Sequence, residues 1–452
     1  MPKADIDAVL RARKRVPPPG GALLEDTEKM KQKHHRMLCA FCALVILVST
    51  VFPTAAFAEQ PVDAAAAEQT LTRADAAEMQ QADAAVTALT ESEQYQEMDT
   101  DARKDAALAQ LDTLAAKGLV EKDSIYTDEE NGMVSFRYPC GVLGGILLTE
   151  PEDETLDEEN AETETAANAL PLRLPPDLGA EMQKSRAALL RRTENQAVEK
   201  FGTAVIYYAF DNTINSSRFP YYAYMQGFWS ALGLETKINI HVTVADLKKM
   251  GNYNVSVLSA HGSYYTYSYG KFLKRTRTEP IMLLTEESTF GKDLRYGFDL
   301  LAHRVIKVNG MYCVTSDFFR NAYKGGKLSN TIVYSETCEF LGVDGSEDNA
   351  MADALLSGGA QAVIGYVNNV YTVYSRSMLW DTINHLIMGQ NVGQALEHAK
   401  ATYGEDDLIW YHAQGGRRPH AAASYAVLYG NSQAALHVPE SNRSMFSADL
   451  AA

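Results

Sequence analysis

Basic charge is scarce in this 452-residue chain, which has 41 Lys and Arg residues against 58 Asp and Glu residues. The formal net charge is −17, and neither bZIP-like basic runs nor zinc-finger spacings occur. Nucleic-acid binding calls for clustered basic charge, so we exclude a nucleic-acid partner. The glycine loops that bind phosphates and the Gly-x-Ser-x-Gly elbow are absent as well, and we predict no cofactor.

Metal-ligand spacings are also missing from the sequence. Its C-terminal histidines form neither a His-Glu-x-x-His motif nor any other spacing typical of a zinc site; they are His385, His398, His412 and His420. We therefore predict no metal site.

Cysteine is rare, with five residues in the whole chain. Two of them lie in a predicted export signal, which leaves Cys140, Cys313 and Cys338 for an oxidising compartment. Three is an odd number, so at least one thiol is free or pairs between molecules. Cys313 is predicted to be a strand residue in Met311-Tyr-Cys-Val-Thr315, and Cys140 either is inert or pairs with Cys313.

The export signal is predicted within residues 1–58. A basic stretch from Lys31 to Arg36 precedes sixteen mostly apolar residues from Met37 to Phe52, and Ala56-Phe-Ala58 follows. This order is typical of a signal peptide, with Met30 as an alternative start, and predicts a secreted or cell-surface protein. The competing interpretation is an uncleaved single-span anchor, although a span usually needs about 20 residues. Membrane association is expected only in that case.

Composition divides the exported part into three regions. Residues 59–149 are rich in Ala, Glu, Asp and Gln with helical spacing, and they end in a small hairpin. Residues 150–177 form an acidic, proline-containing linker, with nine carboxylates between Glu150 and Glu164. Residues 178–452 alternate short apolar runs with helical patterns, which predicts an α/β domain with its core at about 202–438. The segment from Glu59 to about Lys200 is a candidate pro-region.

The predicted elements of that domain follow a helix from Leu178 to about Lys200. The strands are Thr203 to Phe210, Lys237 to Val244, Asn254 to Ala260, Thr331 to Ser335, Ala362 to Asn368 and Ser424 to Tyr429. The helices are Tyr221 to Leu232, Asn349 to Leu356, Ser377 to Met388 and Val392 to Tyr403. The tyrosine-rich segment Ser263 to Gly270 is predicted to be a plain, half-buried strand.

Two of these strand ends carry reactive side chains. One strand runs into His261-Gly262-Ser263, and another runs into Glu336-Thr-Cys338-Glu339. Catalytic groups in open α/β sheets gather outside the carboxyl ends of strands, so neighbouring strands would bring both groups to one edge. An imidazole can take the proton of a thiol, and backbone N–H groups at a glycine can bind an oxyanion.

The His-Gly-Ser and Glu-Thr-Cys-Glu motifs at these strand ends resemble those of caspase-like cysteine peptidases, and those of legumains in particular. The segment after the cysteine is similar to gingipains, clostripain and the caspase-like domains associated with tetratricopeptide repeats. The resemblance spans about residues 202–438 and implies a caspase-like, mostly parallel sheet flanked by helices. It also implies hydrolysis of a peptide or protein substrate.

The resemblance gives His261 the role of general acid/base and Cys338 that of nucleophile, with the Gly262 amide as an oxyanion donor beside that of Cys338. Glu336 would line the pocket for the residue before the scissile bond, with a preference for a basic residue. Asp211 and Asn368 could reach the same pocket, but each is equally well explained as a turn residue.

Two features depart from that family. His261 and Cys338 are 77 residues apart, which is long, so an insertion from Lys271 to Asn330 is expected to fold away from the site. Phe340 stands where legumains have a small residue. These departures keep open a cell-surface binding protein that has lost catalysis. A transpeptidase or esterase that uses the same dyad is a further alternative.

Overall fold

The computed structural model describes residues 70–148, 198–210, 219–270, 274–408 and 423–446, which all belong to one compact unit, 39–452. The predicted signal peptide, the acidic linker and most of the predicted helix 178–200 lie outside the described residues, and so does Asp211. None of the helices in the described ranges has the length and apolar character needed to span a membrane.

Fifteen strands are present in the described residues. They are β1 Tyr126–Asp128, β2 Met133–Arg137, β3 Leu143–Leu147, β4 Gly202–Ala209, β5 Leu234–Asn239, β6 Val255–Ala260, β7 Gly262–Tyr269, β8 Arg275–Glu287, β9 Val305–Val308, β10 Met311–Thr315, β11 Ile332–Ser335, β12 Gly342–Val343, β13 Ser346–Glu347, β14 Ala362–Val367 and β15 Tyr425–Gly430.

Eleven α-helices lie between and around these strands in the same ranges. They are α1 Arg73–Thr90, α2 Glu93–Gln96, α3 Thr100–Ala116, α4 Phe219–Ala231, α5 Val244–Leu247, α6 Phe290–Leu301, α7 Ser316–Ala322, α8 Ala350–Ser357, α9 Thr372–Ile387, α10 Val392–Tyr403 and α11 Glu440–Phe446. Strands and helices alternate along the second half of the chain, which confirms the predicted α/β class.

The central sheet has six strands in the order β15-β14-β11-β6-β4-β5. Five of these strands are mutually parallel, namely β4, β5, β6, β11 and β14. The edge strand β15 runs antiparallel to its neighbour β14. Side chains alternate between its two faces: on β4, Val205 and Tyr207 enter one hydrophobic cluster, and Ile206 and Tyr208 enter the other. Helices cover both faces, as a parallel sheet requires.

A second sheet has seven strands in the order β1-β2-β3-β9-β10-β8-β7. The predicted hairpin is present as β2 and β3, and the tyrosine-rich segment is the plain strand β7. Strand β3 pairs with β9 in parallel, so residues 70–148 contribute to the same sheet as residues 262–315. The predicted region boundaries at 149 and 178 did not anticipate this shared sheet.

The insertion from Lys271 to Asn330 does not fold away from the site, contrary to the prediction. Its first strand, β8, pairs along the whole of β7, and the Leu283 N–H donates to the carbonyl oxygen of His261 at 2.9 Å. Because β7 starts directly after His261, its pairing partner β8 also lies next to His261.

The predicted strand Lys237 to Val244 is misplaced by a few residues. Strand β5 ends at Asn239, and helix α5 begins after Thr243. The Thr243 side chain accepts from the N–H of Asp246, and the Asp246 carboxylate accepts from the N–H of Thr243. This capping box starts a helix where apolar character alone suggested a strand.

Candidate active site

The topology of the central sheet defines one edge where a site is expected. Strand β4 has β5 on one side and β6 on the other, so the strand order reverses between β4 and β6. Ligands of open α/β sheets bind outside the carboxyl ends of the strands at such a switch point. His261 immediately follows β6 at that edge.

The parallel register brings the second reactive group to the same edge. Strands β6 and β11 are neighbours, and Leu258 is paired with Ser335. His261 and Cys338 each lie three residues beyond this pair, on segments that leave the sheet in the same direction. The structure therefore places the two residues that the sequence singled out beyond the same edge of the sheet.

Gly262 lies against the backbone that carries the cysteine. A Cβ atom at this position would come well inside 3.0 Å of the Cys338 carbonyl oxygen and of the Thr337 methyl group. Real Cβ atoms do not approach other atoms so closely, so only glycine fits here without a shift of the chain. The His-Gly sequence thus permits close packing of the segments that carry His261 and Cys338.

The direction of the Gly262 N–H follows from the pairing of β7 with β8. Residues opposite one another in antiparallel strands alternate between hydrogen-bonded and non-hydrogen-bonded pairs. Leu283 donates to the carbonyl of His261, and the next pair along the ladder is Gly262 with Met282. That pair is therefore of the non-hydrogen-bonded kind, and the Gly262 N–H points away from β8.

The His261 side chain is almost enclosed, with 8% of its surface exposed. The Phe210 ring packs edge-on against the imidazole, with ring centroids 4.6 Å apart. Burial disfavours the charged imidazolium and lowers the pKa of His261 to about 3. At neutral pH the imidazole is therefore neutral.

The Cys338 thiol is partly buried and has polar backbone close to its sulfur. The Val370 N–H donates to Sγ at 3.5 Å, and the thiol donates to the Val370 carbonyl oxygen at 3.9 Å. Val370 follows β14, so the strand next to β11 also contributes to this site.

Glu336 occupies a buried polar pocket next to the candidate nucleophile. Its carboxylate accepts from the Tyr222 hydroxyl at 2.9 Å and lies 3.4 Å from the Ser375 hydroxyl. Burial raises the pKa of Glu336 to about 7, while the hydroxyl donors and the nearby Arg376 guanidinium act in the opposite direction. Close to neutral pH this carboxyl group can therefore carry or lose its charge.

Asn368 has a structural position, which favours the turn interpretation of this residue. Its backbone φ is +67°, a conformation that asparagine tolerates better than most residues. Its side-chain oxygen accepts from the Gly345 N–H at 2.9 Å, and its side-chain nitrogen donates to the Ala423 carbonyl at 2.8 Å. The Asn368 carbonyl accepts from the Glu339 N–H at 2.9 Å. The residue thus fixes the loop after the cysteine.

Phe340 is part of the hydrophobic core and not of a pocket wall. It is 1% exposed and packs so closely on Gly365 of β14 that a Cβ there would approach its ring within 3.0 Å. Before it stands Glu339, a buried carboxyl group whose pKa is raised by burial to about 8.

The other two described cysteines do not pair with each other, so the disulfide alternative for Cys140 is not realised. Cys313 is fully buried on β10, as predicted, and Cys140 is half-buried in the loop between β2 and β3; both are free. Burial raises the pKa of each thiol. Raised pKa values make both thiols poor nucleophiles.

Sequence reasoning missed several residues around the dyad. Phe210 ends the predicted strand and stands next to Asp211, so its place near the site could be predicted. The sequence analysis singled out the carboxylate of Asp211 instead. Val370, Tyr222 and Ser375 gave no signal in the sequence, because they reach the site only through the packing of remote helices and loops.

A second group of titratable side chains lies outside this site, on α9 and α10. Asp381, His385 and His398 each offer one ligand atom within 4.8 Å of the others. The sequence predicted no metal site because His398 is remote from the other two in the chain.

No protein-family model matches the chain, and no curated protein matches it.

Proposed function

We propose that this protein is a cysteine endopeptidase with Cys338 as nucleophile and His261 as general acid/base. The observation that carries the proposal is the placement of both residues three positions beyond the Leu258–Ser335 pair, with Gly262 packed on the Cys338 backbone. A nucleophile and its base must emerge at one edge within reach of each other. We further propose that the protein acts outside the cell, on the strength of the N-terminal signal pattern.

The proposed reaction proceeds through an acyl-enzyme. The Cys338 sulfur attacks the carbonyl carbon of the scissile peptide bond, and its proton passes to the neutral His261 imidazole. The N–H groups of Gly262 and Cys338 donate to the oxyanion that forms on the carbonyl oxygen. The tetrahedral intermediate collapses as His261 returns the proton to the leaving amine. Water activated by the same imidazole then hydrolyses the thioester.

The fold supports this proposal at a coarser level. The central sheet is mostly parallel and is covered by helices on both faces, with His261 at its switch point and Cys338 after the neighbouring strand β11. We propose that this is the caspase-like arrangement that the motifs resemble. We propose that Glu336 recognises the residue before the scissile bond, as the motif resemblance implies, with a basic side chain as the expected partner.

Labelling of the purified full chain with an iodoacetamide probe tests the dyad. Cys338 is expected to react fastest, and His261→Ala is expected to slow that reaction at least about tenfold, because the base is lost. Cys140→Ala is the matched control, since it removes a half-buried thiol with a raised pKa and should leave the Cys338 rate unchanged. The same variants are then tested against a peptide library that varies the residue before the scissile bond.

Slow and uniform labelling of all three thiols, unaffected by His261→Ala, would contradict the peptidase and favour a binding protein. Cleavage only after acidic or only after apolar residues would reject the role assigned to Glu336 while leaving the dyad in place. Cleavage that persists in Cys338→Ala would reject the nucleophile itself.

A further inference from the structure

The helical hairpin of α9 and α10 carries a cluster of three side chains that the peptidase chemistry does not use. Asp381 and His385 are four residues apart on α9, so both lie on one face of the helix. The connection to α10 spans only residues 388–391, which makes the two helices antiparallel neighbours. This packing brings His398 of α10 to the same face.

The contacts within the cluster place both imidazoles around one carboxylate. The Nδ1 atom of His398 lies 2.7 Å from Oδ2 of Asp381, and the Nε2 atom of His385 lies 3.7 Å from Oδ1. The two imidazole ring centroids are 3.7 Å apart. Each oxygen of Asp381 therefore faces a different histidine, and the three side chains converge on one point.

We propose that Asp381, His385 and His398 bind a divalent transition-metal ion of the zinc type, with water completing the coordination. Two imidazole nitrogens and one carboxylate oxygen form a donor set that zinc accepts readily. Calcium and magnesium prefer sets made of oxygen alone, so they are poor candidates. The proposal is independent of the peptidase function.

The geometry requires only a small closure. In a tetrahedral site with ligand distances of about 2.1 Å, two ligand atoms of a zinc ion are about 3.4 Å apart. The three ligand atoms lie within 4.8 Å of one another, so a movement of about 1.4 Å or less brings the most distant pair into range. The His398 side chain is 47% exposed and can turn to supply this movement, which also gives the ion a path from solvent.

The buried members of the cluster are suited to the ligand role. The side chains of Asp381 and His385 are only 14% and 10% exposed. Burial lowers the pKa of His385, and a charge on His398 acts in the same direction, whereas the Asp381 carboxylate acts against it.

Such an ion would fix α9 to α10. Helix α9 also carries Ser375 near its start, where the hydroxyl lies close to Glu336. A metal at Asp381 would therefore stabilise the helix that forms one wall of the Glu336 pocket, and it would do so from a point outside that pocket. The expected consequence is a higher melting temperature in the presence of the ion.

Titration of the full chain with ZnCl₂ in a non-chelating buffer, followed by calorimetry, tests the site. Wild type is expected to bind one zinc ion through this cluster and to melt at a higher temperature with it. His398→Ala and Asp381→Asn are expected to weaken that binding at least about 100-fold and to abolish the shift in melting temperature. His437→Ala removes an exposed histidine elsewhere and should bind zinc as the wild type does.

The thiol of Cys338 and the imidazole of His261 are the main competing ligands, so Cys338→Ala is titrated in parallel. Zinc binding that survives Cys338→Ala and is lost in His398→Ala supports the proposal. Loss in Cys338→Ala with full binding in His398→Ala would assign the ion to the dyad and overturn the proposal. Failure of the wild type to bind zinc at 100 μM, a concentration well above about micromolar affinity, would overturn it too.

Discussion

The burial of His261 has a consequence for stability that is separate from catalysis. Its pKa is about 3 in the folded protein, against an ordinary value of 6.5, because the enclosed ring resists charging. Between these two pH values the unfolded chain binds a proton that the folded chain does not. The free energy of unfolding must therefore rise with pH across this window through His261 alone.

Replacing this residue by an uncharged one should remove that dependence. From pH 7 to pH 5, protonation of His261 in the unfolded chain costs the wild type about 2 kcal/mol of stability, at about 1.4 kcal/mol per pH unit below 6.5. Between pH 7 and pH 5, the free energy of unfolding of His261→Gln is therefore expected to fall by about 2 kcal/mol less than that of the wild type. Urea unfolding at pH 5 and pH 7 measures the difference.

His437→Gln serves as the control, because it replaces an exposed histidine and should keep the pH dependence of the wild type. Equal pH dependence in His261→Gln and wild type would mean that His261 is solvated in the folded protein. In that case Phe210 does not exclude water from the imidazole, and the pKa of His261 in the folded protein lies near its ordinary value.

At the scale of elements, the junction between the two sheets is a single residue long. Strand β6 of the central sheet ends at Ala260, strand β7 of the second sheet begins at Gly262, and His261 stands between them. The position of the imidazole is therefore set by both sheets at once. The absence of a Cβ at Gly262 is what lets this junction rest directly on the Cys338 backbone.

Gly262→Ala should damage catalysis more than it damages the fold. The added Cβ meets the Cys338 carbonyl, which is backbone and cannot simply rotate away, so the start of β7 must shift and its N–H moves with it. Loss of an oxyanion donor typically lowers kcat by about 100-fold to 1000-fold. We expect a fall of that size in kcat on the best library peptide, in a protein that still melts cooperatively.

The control for this substitution is Gly227→Ala. Gly227 lies inside α4, and a Cβ there meets nothing within 4 Å, so alanine should leave kcat unchanged and slightly favour the helix. If Gly262→Ala retained kcat within about threefold, neither the close approach nor the N–H of Gly262 would contribute to the reaction.

The sequence predicts the central sheet well because its strands are buried on both faces and appear as short apolar runs. Five of the six were located within a residue or two, and β5 was misplaced because a capping box starts α5 in that run. The sequence singles out His261 and Cys338 because each follows such a strand. The pairing of β3 with β9 could not be predicted, because hydrophobic periodicity does not specify which remote strands pair. For the same reason the approach of His398 to Asp381 could not be predicted.

At the scale of the whole molecule, a buried ionic network joins residues 70–148 to the rest of the chain. The Lys307 ammonium on β9 lies 2.5 Å from Asp83 of α1 and 2.9 Å from Asp293 of α6. The hydroxyl of Tyr138 donates to Asp83, and that of Tyr312 donates to Asp293. Lys307 is 1% exposed, so the two carboxylates are what compensates its charge.

This network, together with the β3–β9 pairing, predicts how the protein responds to cleavage of the acidic linker. A site-specific protease site placed within residues 150–177 and cut under native conditions should give two fragments that co-elute in size-exclusion chromatography. They should co-elute because the fragments share one sheet and the network around Lys307. The labelling rate of Cys338 should be unchanged by the cut itself.

Lys307→Met should weaken this association, since it leaves Asp83 and Asp293 buried without their cation, a change that typically costs about 3–5 kcal/mol. The nicked variant is expected to separate at a lower urea concentration than the nicked wild type. Lys248→Met is the matched control, because Lys248 pairs with Asp299 at a partly exposed position where an ion pair contributes about 1 kcal/mol or less. Fragments of the wild type that elute apart without denaturant would instead establish residues 70–148 as a separable region. The predicted pro-region could then leave the proposed catalytic domain after a single cut, whereas the shared sheet requires the two parts to remain together.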